Sequence, residues 1–260
     1  MTDRLDTRVG HAGHGDNRFR GHGVHALTGT LPYWSLVALA VGRAPLDAGA
    51  CAVLDALSVA SCAADPRIWP LKAVRVGSAY GSATLGVCAG LLVTDGVHGP
   101  RICVEAATLV IGIIAEIGLD PTDDELTAAL ELRFARHVFP LPGFGVAARD
   151  VDERVVAFDD WWVRAGPDHG PHWRLVRRIE SIAIRARKTP VNISGAAAAI
   201  LLDLGFLPEQ MHLPAVMLVM PNFVANAVEG AAQAPAVLQR LPAPAVRYVG
   251  TAPRRSPRAS

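Results

Sequence analysis

From Tyr33 onward, apolar residues recur at three- and four-residue spacing along most of the chain. That is the period of helices burying one stripe. The stretch "YWSLVALAVGR" predicts a helix from Tyr33 to near Gly42, with Pro45 beyond it. "LDAGACAVLDALSVASCA" predicts a second from about Asp47 to Ala63, and Pro66 and Pro70 then break the pattern. "VRVGSAYGSATLGVCAGLLV" is rich in small residues, as in close-packed buried helices. "CVEAATLVIGIIAEIG" predicts an apolar helix closed by Gly118. Pro121-Thr122-Asp123-Asp124 opens another through about Phe134, its acids well placed near the N-terminus. "VVAFDDWWVRAG" follows, and then "HWRLVRRIESIAIRARK", which has one basic and one apolar face. "ISGAAAAILLDLG" stops at Gly205, and "LPAVMLVMPNFVANAVEG" predicts a long apolar helix kinked at Pro221. Strand signals are confined to short pieces near the termini, and no internal repeat is present. The fold class expected is all-α.

Composition sets bounds on this picture. The 260 residues are 51% hydrophobic, enough for one large or two modest domains and for apolar surface beyond a single core. The net charge of +1 gives nucleic acid no overall attraction. The polar, charged N-terminus does not read as a signal peptide, so a cytoplasmic protein is expected. The apolar runs near Ala196–Leu204 and Leu213–Val228 read as too short or too interrupted to span a bilayer, so no membrane partner is expected. Cys51, Cys62, Cys88 and Cys103 lack CxxC spacing and lie in apolar sequence, which predicts reduced core cysteines. His11, His14, His22 and His25 stand among glycines with no helix to hold a ligand pair. They are expected to be loop histidines, and no metal site is expected. Arg247, Arg254, Arg255 and Arg258, among Pro, Ser and Ala, predict a solvated tail.

Candidate chemistry centres on "LPGFGVAARDVDER", Leu141–Arg154. Glycine turns and a following acid–base run suit an active-site loop, yet Val146 stands after Gly145 where a reactive side chain is expected. Six stretches in order then resemble the citrate synthase superfamily, most of all its short, citryl-CoA lyase-like members. "RFRGHGVHALTG" resembles the entry segment, and "PLDAGACAVLDALSVASCAADP" the helix leading to an Asp-His. "LLVTDGVHGPRICVEAATL" is similar to a His-Gly-Gly segment with its helix, and "LPGFGVAARDVDER" to Pro-Gly-Phe-Gly-His with Asp-Pro-Arg. "TPVNISGAAAAILLDLGFLPEQ" resembles the Pro-Asn-Val-Asp-Gly helix, and "RYVGTAPR" the C-terminal end. The resemblance implies an all-α homodimer in which each subunit has a large helical domain (1–100 and 206–260) and a small one (101–205). It also implies a cleft between the domains for a CoA thioester and a carboxylic acid, with no bound cofactor.

In that family an Asp removes a proton α to the thioester carbonyl, a His holds the enolate oxygen, and a second His acts on the carbonyl partner. Arginines grip the carboxylates. Carried over, the resemblance makes His98 the enolate-holding His and Arg154 a carboxylate ligand, with Gly143, Phe144 and Gly145 shaping the loop. Val146 replaces the carbonyl-activating His. Ser194 replaces the catalytic Asp beside the matching Asn192, and Pro66 replaces the His after Asp65. Later carboxylate-binding arginines fall near Val219 and Ala243. Each lost acid–base group costs ~10²–10⁴ in rate, so the parent reaction on citrate is not expected. The reading is a repurposed enzyme acting on a CoA- or carrier-linked acyl thioester by enolate-type C–C bond formation, cleavage or cyclisation. Two alternatives stand beside it: a non-catalytic binding or regulatory homologue, and a thioester hydrolase using Ser194 and His98. Asp150, Asp152, His137 and Arg149 are further polar candidates for the lost roles.

Overall fold

Asp47 shows how local chemistry sets the element boundaries. Its carboxylate accepts from the Ala50 N–H at 2.7 Å, capping a helix that therefore begins at Ala48. The computed structural model describes residues 6–79, 81–94, 99–136, 140–147, 149–233, 242–245, 247 and 249–250. A small antiparallel sheet, β1 (Gly10–Gly13), β2 (Asp16–Phe19) and β3 (His22–Gly23), opens the chain in the order β1-β2-β3. The helices follow: α1 (Val24–Leu27), α2 (Tyr33–Ala40), α3 (Ala48–Ala60), α4 (Trp69–Ser78), α5 (Ala83–Thr94) and α6 (Pro100–Ile117). The chain continues with α7 (Asp123–Arg136), α8 (Glu153–Ala165), α9 (Pro171–Arg187), α10 (Ile193–Asp203) and α11 (Pro208–Ala232). The expected all-α class is what the structure shows.

Other boundaries also have a local cause. Thr122 and Glu125 form a capping box at α7: the Thr122 N–H donates to the Glu125 carboxylate at 2.8 Å, and the Glu125 N–H donates back to the Thr122 hydroxyl at 3.3 Å. Gly118 ends α6 at a φ of 84°, a value open to glycine. Pro70 was expected to break a helix and instead sits at the start of α4. The first turn has no use for the missing N–H, so proline belongs there.

A single large core joins α2, α3 and α6–α11 around Leu54, Leu57, Ile113, Phe158, Trp173 and Leu201, all buried. A smaller cluster of Leu71, Val74, Phe223 and Ala227 packs α4 against α11. Small residues let α4 and α5 approach closely: a Cβ added at Gly90 would lie 2.4 Å from Val74 Cγ2. The other side of α5 is open, with Leu85, Cys88 and Leu92 exposed.

Four expectations need correction. Cys51 and Cys103 are buried, but Cys62 and Cys88 are exposed: Cys88 faces away from the side that α5 buries, and Cys62 lies just past the end of α3. His11 and His22 lie on the N-terminal sheet rather than in loops, where cross-strand pairing orders a glycine-rich segment. The last long helix starts at Pro208, five residues before the expected Leu213, and runs through Pro214 and Pro221 as one 25-residue element. By length and composition it could cross a membrane; half of its most apolar window is buried inside the protein. It packs there against α3, α4, α5, α6 and α10. The arginine tail beyond 250 lies outside the described residues.

Candidate functional site

The Leu141–Gly145 turn is stapled to the segment that opens α10. Phe144 and Val191 form an isolated antiparallel bridge. The Gly145 N–H donates to the Pro190 carbonyl at 2.7 Å, and the Asn192 N–H to the Gly143 carbonyl at 2.9 Å. Gly143 and Gly145 have φ values of 84° and 87°, so both need glycine. The approach also needs Gly195, where an added Cβ would lie 2.2 Å from the Gly143 carbonyl oxygen.

Two side chains lock this junction. Asn192 caps α10, accepting from the Ser194 and Gly195 N–H groups at 3.0 and 3.1 Å, and donates to the Gly145 carbonyl at 3.1 Å. Asp152, 1% exposed at its side chain, caps α8. It accepts from the Arg154 N–H at 3.1 Å, from Arg154 Nε and Nη2 at 2.8 and 2.7 Å, and from the Ile193 N–H at 2.9 Å. Burial pushes the Asp152 carboxyl up; the hydrogen bonds and charge of Arg154, with the Ile193 N–H, outweigh it and hold the group below its ordinary value. A third anchor comes from the apolar stripe of α9, where buried Glu180 accepts from the Val191 N–H at 2.9 Å and pairs with Arg177 at 2.8 Å. Burial raises its carboxyl above the ordinary value, against the Val191 hydrogen bond and the Arg177 charge.

This junction forms one wall of a cavity of about 770 Å³, within the range of small-molecule sites. Gly145, Val146, Arg154, Asn192 and Ser194 all line it. Gly99 and Pro100, at the start of α6, and Asp65 and Val219 line it too. His98, directly before Gly99, lies outside the described residues, as does His137. Gly143 and Phe144 stay behind the wall, with Phe144 4% exposed in the core. Ala243 is exposed in a short 3-10 turn and does not line the cavity. Asp150 is exposed and also off the lining.

The polar groups have little left to offer. Asp152 accepts four hydrogen bonds, two on each oxygen, so it has no free lone pair to act as a base. Arg67 binds Asp65 through Nε and Nη2 and holds its carboxyl down to about 2. Glu153 is held below its ordinary value by its own backbone N–H and by Arg149, 2.6 Å away. The buried Cys103 thiol is pushed up to about 12 by desolvation, too high for a thiolate nucleophile at neutral pH. The first three N–H groups of α10 go to Asp152 and Asn192, so this helix start is not an anion seat. The Ser194 hydroxyl is the exception, half-buried on the cavity with no hydrogen bond to any described residue.

Sequence reading missed the cavity floor. Cys103, Ala197, Ala215 and Leu218 read as ordinary core residues, and only the tertiary packing of α6, α10 and α11 brings them together. It also missed Glu180, whose signal was an acid on the apolar stripe of α9 between Ile179 and Ala183.

Neither protein-family models nor curated protein sequences match this chain. Solved structures do. Citryl-CoA lyase from Hydrogenobacter thermophilus aligns over 97% of both chains with a TM-score of 0.78 and 22% identity. ATP citrate lyase from Methanothrix soehngenii, solved with citrate and coenzyme A, aligns over 97% of this chain and 42% of its own, with a TM-score of 0.67 and 16% identity. Citrate synthase from Thermoplasma acidophilum, solved with carboxymethyl coenzyme A and oxaloacetate, aligns over 86% of this chain and 58% of its own, with a TM-score of 0.58 and 16% identity. The chain therefore has the citrate synthase fold, as its motif order implied.

Proposed function

We propose that the cavity binds the acyl end of a CoA- or carrier-linked thioester, and that the protein forms, breaks or cyclises C–C bonds through an enolate, on a substrate other than citrate. One observation carries the reading. The start of α6, the Gly145–Val146 loop and the first turn of α10 converge on one cavity, in a fold shared with proteins solved with CoA ligands. In this reading His98 donates a hydrogen bond to the thioester carbonyl, which stabilises negative charge there once the α-proton leaves. Ser194 supplies a second donor, and Arg154 and Asn192 hold the wall in place. A cytoplasmic homodimer belongs to the same proposal. The dimer in this proposal is supported by the exposed apolar stripe Leu85–Cys88–Leu92 on α5, with Val224 and Val228 on α11.

A second reading, a non-catalytic homologue, has its own observation in favour. Asp65 and Glu153 are both held below the ordinary carboxylate range and Asp152 is saturated, so no described carboxylate lining the cavity has taken over from the missing base.

Deuterium exchange at the α-carbon of acyl-CoA, followed by NMR in D2O, tests both. The enzyme reading expects exchange with the native protein and its loss in His98→Ala, while bound thioester still raises Tm in both. Equal exchange in His98→Ala removes His98 from the mechanism. Binding without exchange supports the non-catalytic homologue. Absence of any Tm shift with CoA thioesters overturns the thioester reading itself.

A further inference from the structure

Among the described residues, the charge around this cavity is already balanced. Its described cations are Arg149 and Arg154, and each has a carboxylate of its own: Glu153 at 2.6 Å and Asp152 at 2.7 Å. Asp65, the remaining charged lining group, is paired with Arg67 at 2.5 Å. Ser61, 3% exposed on the lining, donates to the Leu57 carbonyl. The polarity is also graded by depth. Among the charged lining side chains, Arg149 and Glu153 are 59% and 62% exposed, and Arg154 and Asp65 35% and 39%. Apart from Ser61, the buried lining is apolar, with Cys103, Ala197, Ala215 and Leu218 between 2% and 6% exposed. Val146 and Val219 continue that apolar wall, half-buried.

Resting on the thioester reading, the geometry points to a specificity for an uncharged, aliphatic acyl group, seated on Cys103, Ala197, Ala215 and Leu218 between Val146 and Val219. A terminal carboxylate placed there would lose its water and find no unpaired cation among the described residues. Its one attraction would be the outer edge of an Arg154 guanidinium already neutralised by Asp152. An alkyl chain loses nothing, and each methylene it buries contributes ~0.8 kcal/mol, or roughly fourfold in affinity. The charged rim suits the polar carrier end, which stays outside.

Butyryl-CoA and succinyl-CoA make the sharpest pair, because they share a four-carbon backbone and differ at the terminal methyl or carboxylate. Titration calorimetry with the full chain, repeated with the N-acetylcysteamine thioesters to remove the CoA contribution, is expected to favour butyryl by about tenfold or more. Extending butyryl to hexanoyl is expected to tighten binding further, up to roughly fourfold per added methylene. Val219→Arg, which places an unpaired cation in the wall, is expected to reverse the butyryl–succinyl order. Succinyl binding as tightly as butyryl to the native protein overturns the inference and leaves the thioester reading standing. Failure of every thioester and of free CoA to bind overturns both. A Val219→Arg protein that folds by circular dichroism and keeps the native order overturns Val219 as part of the acyl seat.

Discussion

Asp152→Ala is the perturbation with the largest consequence for the wall of the cavity. One carboxylate serves three clients: the cap of α8, the guanidinium of Arg154 and the first N–H of α10. Losing the cap costs ~1 kcal/mol. The Ile193 N–H, on a residue 7% exposed, is left without an acceptor, at about 1–3 kcal/mol. The Arg154 pair adds less, ~1 kcal/mol or under, because that side chain is 35% exposed and screened by water. The sum centres on about 3 kcal/mol, a fall in Tm of about 6–12 °C for a chain of this size. Urea unfolding followed by tryptophan fluorescence and circular dichroism reads it directly. Asp152→Asn keeps the Oδ1 acceptor for the cap and for Arg154 Nε but turns an amide N–H toward the Ile193 N–H and Arg154 Nη2, so it is expected to recover only part of the loss. The pH dependence has a definite sign. The Asp152 carboxyl is depressed in the folded protein, so its contribution is present above the ordinary aspartate value of about 3.9. It is lost as pH falls through the depressed folded value. The gap between native and Asp152→Ala proteins should therefore narrow steadily below about pH 4. A loss under about 1 kcal/mol at pH 7, or a gap that widens on acidification, would refute the three-way clamp.

Gly195→Ala places a Cβ 2.2 Å from a backbone oxygen, so it is expected to unfold the Gly143–Asn192 junction; soluble expression at native Tm would contradict the close approach. A disulfide-exchange reagent should modify Cys62 in the folded protein, and Cys51 and Cys103 only after denaturant, as counted by mass spectrometry. Glu180→Gln keeps an acceptor for the Val191 N–H and removes a buried charge whose carboxyl is raised, chiefly by desolvation. The cost of holding that charge exists above the folded value and fades as pH falls through it. The variant should therefore match or exceed native stability at pH 7 and lose that advantage near pH 4, measured by urea titration at both.

The helices were legible wherever one stripe was apolar and the ends carried a cap, as at Asp47, Thr122 and Gly118. Misreadings came where tertiary context outweighs local sequence. Pro70 looks like a breaker until one knows that a helix starts beside it. Cys88 sits in apolar sequence and yet faces outward, because a helix with apolar residues all round does not reveal which side is covered, and Cys62 is exposed just past the end of α3. At the site, loop glycines and the order of motifs pointed to a loop that lines the cavity, but local sequence held no sign that Asn192 and Arg154 also hold that loop through hydrogen bonds within the chain. Hydrogen-bond partners tens of residues away, such as Asp152 for Ile193 and Asn192 for Gly145, leave no periodicity to detect.

That internal engagement leaves the Val146 and Ser194 side chains without a structural duty in the wall. The backbone of the wall is held by Asn192, by Asp152, by Glu180 through Val191, and by the close approach of Gly143 to Gly195. None of these contacts involves the Val146 or Ser194 side chain. Both side chains face the cavity, so exchanging them alters what the cavity meets without removing a strut. A wall whose supports are separate from its chemistry can change its chemistry at little cost to stability. A measurable form of that separation is Val146→Ala and Ser194→Ala. Both should stay within about 1 kcal/mol of the native protein in urea titration, the usual range for a half-exposed site, while changing thioester affinity or turnover. A loss of several kcal/mol in either would show that these two cavity-lining positions and the scaffold are one structure.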